Sequence, residues 1–193
     1  MSYFEDINYA IINKKEAYKG KRVTVEEVIY DNGNKQIYRE HVKAGNAVII
    51  LAITDDNKVL MVREARSAIG KIILGLPAGK LEKGENPEKA AIRELEEETG
   101  FKAHDIKFLR EVFTSCGYTD EKISIYLAKD LEKTKQNLDE DEELEVLEIP
   151  LKLFKEMIDK NEIITASTTI AGLHYLLYVE NNDVIDEKMK KWI

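Results

Sequence analysis

The sequence predicts a mixed α/β domain, with strands before and after one central helix. Three observations predict it. Residues 47–54 (AVIILAIT) form an apolar run of strand length bounded by turn residues. Asn86-Pro87 and Gly100 bracket a helical segment with a start and a stop signal. Strand-type segments recur on the far side of that helix, at 106–113, 122–128 and 144–149.

The elements follow in order. Residues 22–30 (RVTVEEVIY) alternate as a strand does, and Asn32-Gly33 turns the chain into a returning strand at 35–42. The buried strand 47–54 ends at Asp55-Asp56-Asn57, which leads into a strand at 58–63. A stretch punctuated by Gly70, Gly75 and Gly79 follows. In the helix, Asn86 is the N-cap, Pro87 takes the first turn, and Gly100 ends it. Residues 132–145 are polar and acidic and are expected to form a loop. Pro150 is expected to open a short helix, and 166–180 a longer final one. No internal repeat is present.

Composition narrows the function classes. The chain has 193 residues and 44% apolar side chains, enough for one domain with a small appendage. A formal charge of −8, from 37 acidic and 29 basic residues, argues against a nucleic-acid binder. It leaves anionic substrates open, because a bound divalent cation inverts the local field. Cys116 is the single cysteine, so no intrachain disulfide can form. The N-terminus lacks a cationic segment followed by an apolar run, and no apolar stretch reaches membrane-spanning length. A cytoplasmic protein that binds neither membranes nor nucleic acid is expected.

The segment 79–101, GKLEKGENPEKAAIRELEEETGF, carries the chemistry. On a helix, Glu94 and Glu98 are spaced i, i+4 and Glu94 and Glu97 i, i+3, so three carboxylates share one face. Like charges so placed destabilise a helix unless cations sit among them. Hard divalent ions, Mg²⁺ or Mn²⁺, suit an all-oxygen set. Scattered His41, His104 and His174 make a zinc site a poor alternative. Ala91, Ile92 and Leu95 are expected to pack on the sheet.

This segment resembles the signature of the Nudix hydrolases, G-x5-E-x7-R-E-U-x-E-E-x-G-U with U a bulky apolar residue, at every fixed position. The resemblance implies the Nudix fold, an α/β/α sandwich with a mixed sheet. It also implies metal ligation by Glu94, Glu98 and the Ala78 carbonyl. Glu97 would ligate metal or orient water. Gly79, Glu85, Arg93 and Gly100 would shape the loop–helix motif.

The likeness extends to the ADP-ribose pyrophosphatase-like subgroup over roughly residues 37–180. Arg39-Glu40 before Gly45-Asn46-Ala47-Val48, Arg63-Glu64-Ala65-Arg66 and Leu76-Pro77-Ala78-Gly79 each resemble subgroup motifs. So does the loop Ser115-Cys116-Gly117-Tyr118-Thr119-Asp120-Glu121. By that likeness Arg39, Arg66 and Gly117 would bind substrate. Asp139 to Glu143 resembles a D-E-x-E stretch in which Glu140 would be the general base and Glu142 a further metal contact. Cys116 stands where the family loop usually has proline, and Gly75 where many relatives carry glutamate.

The activity so implied is hydrolysis of the diphosphate in a nucleoside diphosphate sugar, with ADP-ribose giving AMP and ribose 5-phosphate. GDP-mannose or a UDP-sugar is the alternative substrate. A non-catalytic domain that senses nucleotides is the alternative from another class. Residues 1–44 are expected to be a strand hairpin too small to stand alone, serving a homodimer, with 45–193 the hydrolase domain.

Overall fold

The computed structural model describes residues 6–140 and 142–180. The chain forms two compact units. One comprises residues up to Asn46 together with Phe113–Lys122, and the other Ala47–Val112 with the residues from Ile123 on.

The first unit is a three-stranded antiparallel sheet, β1 (Ala10–Lys19), β2 (Thr24–Asp31) and β3 (Gln36–Lys43), in the order β1-β2-β3. A hairpin was expected, and β2 and β3 are that hairpin. Asn32 sits at its turn, with its side chain accepting from the Asn34 and Lys35 N–H groups. β1 is an addition that its own sequence does not announce, because AIINKKEAYK has no period-2 alternation and every residue is exposed. The segment 113–122 belongs to this unit. Val42 donates its N–H to the Tyr118 carbonyl at 2.8 Å, and Lys43 pairs with Asp120 at 2.6 Å.

The second unit holds two sheets. One has the order β7-β4-β9-β8, from β7 (Ala78–Lys80), β4 (Ala47–Ala52), β9 (Lys122–Lys133) and β8 (Phe101–Phe113). β4 runs parallel to β9 and antiparallel to β7, so this sheet is mixed. The other has the order β10-β5-β6, from β10 (Leu144–Pro150), β5 (Lys58–Arg66) and β6 (Lys71–Gly75). Asn57, at φ 58°, makes the turn between β4 and β5.

β4 is apolar on both faces because both are covered. Val48, Ile50 and Ala52 join Ala90, Ala91 and Leu95 of α1 (Pro87–Thr99). Ile49, Leu51 and Ile53 pack with Phe154 and Ile158 of α2 (Leu151–Asp159) and Ala171 of α3 (Ala166–His174). Each fully buried Ile or Leu contributes about 1.5–3 kcal/mol. This is the expected α/β/α sandwich. Ile92 departs from expectation, being only partly buried where Ala90 is fully so. The expected loop at 132–145 is shorter than predicted, since β9 runs through Lys133 and β10 starts at Leu144. The final helix stops being α-helical at His174 and continues as a π-helical turn over Tyr175–Glu180. Among the described residues no helix is long and apolar enough to cross a membrane.

Candidate functional site

The site is built on α1 and the short strand before it. Asn86 accepts from the Glu88 and Lys89 N–H groups at 2.9 and 3.2 Å, Pro87 fills the first position, and Gly100 ends the helix at φ 70°. These caps fix the rotation of α1. Ala90, Ala91 and Leu95 then face the sheet, while Glu94 and Glu98 lie over β7. The Ala78 N–H donates to the Glu98 carboxylate at 2.9 Å. A Cβ on Gly79 would overlap the Glu94 carboxylate, so only glycine admits that side chain against the strand.

Arg93 holds this assembly together. Its guanidinium donates to both oxygens of Glu85 at 3.0 Å, to Glu97 at 2.8 Å and to the Lys80 carbonyl at 3.4 Å, and it pairs with Glu94 at 2.9 Å. Glu85 also accepts the Glu82 N–H at 2.9 Å, which closes the loop ahead of the helix. Hydrogen bonding to Glu85, and the charge of Glu94, push the guanidinium pKa up. The same bond to Arg93 holds Glu85 below the usual carboxylate range.

The carboxylates facing β7 behave oppositely. Burial pushes Glu98 up to about 8, against the opposing Ala78 hydrogen bond, with Glu94, Glu64 and Glu142 adding repulsion. Burial pushes Glu94 up to about 7, against the pull of Arg93, with Glu97 and Glu142 raising it further. Glu64, on β5, is also raised, by burial first and by Glu142, against the pull of Arg66. Five acidic side chains thus act on one another: Glu64, Glu94, Glu97, Glu98 and Glu142.

Glu64 was not singled out from the sequence. Only the sheet places it, opposite Ile73 of β6 and Leu144 of β10. Its carboxylate is ion-paired with Arg66. Of the two loop glutamates, Glu142 is the one that acts on this group. Both Glu140 and Glu142 are exposed, and the Glu142 carboxylate accepts the Asp139 N–H at 3.4 Å. Asp141 lies outside the described residues. Arg39 and Gly117 lie in the first unit, where with Tyr118 they line a pocket of about 500 Å³.

Among the described residues, no three acidic, His or Cys side chains are arranged to hold one ion as they stand. The reason is local, since Arg93 draws both Glu94 and Glu97 to itself. The donor set still fits a hard divalent cation. It is all oxygen, two of its carboxylates are raised by burial and mutual repulsion, and the Gly79 backbone leaves them room.

A family model described as the NUDIX domain matches residues 43–166. The chain is 41% identical over 169 residues to the ADP-ribose pyrophosphatase of Bacillus subtilis (strain 168), covering 86% of this chain and 90% of that one. It is 40% identical over 165 residues to the methanol dehydrogenase activator of Bacillus methanolicus, covering 83% and 88%. The crystal structure of an ADP compounds hydrolase superposes with a TM-score of 0.81 at 26% identity, over 93% of this chain and 99% of that one. With the signature helix, its arginine-centred loop and the α/β/α sandwich all in place, this chain belongs to the NUDIX domain family.

Proposed function

We propose that the protein is a divalent-metal-dependent hydrolase that cleaves the diphosphate of ADP-ribose into AMP and ribose 5-phosphate. The observation that carries this reading is the packing of Glu94 and Glu98 against β7, with Glu64 and Glu142 acting on them. The 41% identity to an ADP-ribose pyrophosphatase supports the choice of substrate. Mg²⁺ or Mn²⁺, bound by Glu94, Glu98, Glu142 and the Ala78 carbonyl with Glu97 as a further ligand, would neutralise phosphate charge and lower the pKa of the attacking water. The chain supplies positioning. Arg66, half-exposed at the end of β5, contacts the diphosphate. The family likeness implies substrate-binding roles for Arg39 and Gly117 as well. A panel of nucleoside diphosphate sugars, including GDP-mannose and UDP-sugars, with product identification tests the reading. Fastest turnover of ADP-ribose, abolished by EDTA and restored by Mg²⁺, is expected. Full activity after exhaustive chelation would overturn it. A second reading, activation of a methanol dehydrogenase, is favoured by the 40% identity to a named activator. It is tested by adding the protein to such a dehydrogenase.

A carboxylate of the acidic loop takes the proton of the attacking water. Glu140→Gln or Glu142→Gln is therefore expected to lower kcat by about 10²-fold or more with little change in KM, with Glu140 the candidate base and Glu142 a supplementary metal contact. Glu143→Gln stays near wild type. Steady-state kinetics on the three variants and the double variant decide it, and near-wild-type turnover of the double variant removes the loop from the chemistry.

The N-terminal segment, residues 1–44, joins two copies. β1 is an edge strand ten residues long with every side chain exposed, among them Ile11, Ile12 and Tyr18 at 57%, 50% and 59%. Such an edge is a template for pairing unless it is covered. A homodimer is expected by sedimentation velocity, and Ile11→Lys/Tyr18→Lys should shift it to monomer. An active monomer at assay concentration would refute this.

A further inference from the structure

A helix leaves its last carbonyls without partners. At the end of α1 these are taken by the loop that follows β9. Thr134 donates its N–H to the Gly100 carbonyl at 2.7 Å, and Asn137 donates its N–H to the Glu97 carbonyl at 2.9 Å. The Gln136 side-chain amide donates to the Glu98 carbonyl at 2.7 Å. Gly100 permits the approach, since a Cβ there would stand 2.9 Å from the Gln136 nitrogen. Two of these three bonds are made by main chain and are open to any sequence. Gln136 supplies the one that depends on a side chain.

The fastened segment runs directly into the acidic loop. Asp139 accepts the Glu142 N–H at 3.0 Å, closing a turn between the fastening point and Glu142. The residue whose carbonyl Gln136 holds, Glu98, carries the most deeply buried carboxylate of the site. We propose that Gln136 is a positioning residue: its hydrogen bond to the Glu98 main chain sets the register of the loop, so that the loop carboxylate meets Glu94 and Glu98. This rests on the reading that a loop carboxylate acts in the hydrolysis. It explains why the helix-ending glycine serves two purposes, a left-handed cap and a docking surface for the loop.

Three variants of the full chain separate the bond from the shape of the side chain. Gln136→Met keeps the shape and loses the donor. Gln136→Lys keeps a donor and places a cation at a helix C-terminus, where it is favoured. The third adds Gln136→Met to whichever of Glu140→Gln and Glu142→Gln lowers kcat. Gln136→Met is expected to lower kcat roughly tenfold with KM within about twofold, as a displaced catalytic group does. Gln136→Lys should recover to within about threefold of wild type, and the combined variant should lose nothing beyond the loop substitution alone. Unchanged kcat in Gln136→Met, an equal loss in Gln136→Lys, or losses that multiply in the combined variant would each overturn the proposal. If neither loop glutamate affects kcat, the reading beneath it falls as well, and the single loop variants identify that case.

Discussion

Glu98→Gln is expected to reduce turnover by about 10³-fold while leaving the protein as stable at pH 8 as its parent, or more so. The two halves of this result have one cause. Glu98 is 5% exposed, and burial holds its carboxyl pKa near 8. In the unfolded chain the same group titrates near the ordinary 4.5. Between those values the folded state retains a proton that the unfolded state releases, so stability falls as pH rises from about 4.5 to 8. Glutamine removes that loss, and its amide oxygen still accepts the Ala78 N–H. It also removes the ligand charge on which the chemistry depends. Thermal melts of metal-free protein at pH 5.5 and 8 should therefore show a steeper loss for the parent than for the variant. Added Mg²⁺ should raise the parent's Tm more at pH 8 than at pH 5.5. A variant less stable than its parent by more than about 5 °C at pH 8 would contradict this account of the buried carboxylate.

The bounds of α1 were legible to the residue because every signal is local: an Asn side chain that reaches its own first turn, a proline, and a glycine at φ 70°. The strand β4 was legible because being covered on both faces requires an unbroken apolar run. β6 and β7 were not. They are five and three residues long, and pairing with β5 and β4 makes them strands rather than any pattern of their own. β1 was hidden for the same reason. Within the site, the signature positions could be read from spacing because one helix and its preceding turn carry them. Glu64 could not, since its place beside the helix carboxylates depends on strand register across residues far apart in the chain. The choice between Glu140 and Glu142 also escaped the sequence, because a one-residue change in loop register exchanges them.

Arg93 carries the second large effect, and here stability and activity are expected to fall together. Its side chain is 28% exposed, and it meets Glu85, Glu94 and Glu97 within 3.0 Å. Arg93→Met would leave three part-buried carboxylates around an apolar side chain. Removing one partner of a buried charge network is destabilising by several kcal/mol. With 28% exposure left to water, about 2–3 kcal/mol is the reasonable scale, which for a chain of this size is roughly 4–12 °C in Tm. Arg93→Lys should recover little of it. A lysine offers one compact cation and cannot place separate N–H groups on Glu85, Glu97 and the Lys80 carbonyl at once. The pH dependence should change in a definite direction. Glu85 is held below its usual range in the parent, so its contribution is present above the ordinary carboxylate pKa and is lost as pH falls through the depressed value. In Arg93→Met that acid-side loss disappears, and parent and variant should converge as pH is lowered below about 4. Kinetically, losing the guanidinium frees the Glu94 side chain to leave β7 and frees Glu97 from its fixed place on the helix, so kcat should fall by about 10²-fold or more even at temperatures where the variant is folded. Melting curves across pH 3–8, with activity measured well below the variant's Tm, check both halves. Retention of wild-type Tm by Arg93→Lys would show that charge alone, rather than the forked set of hydrogen bonds, organises the loop and helix.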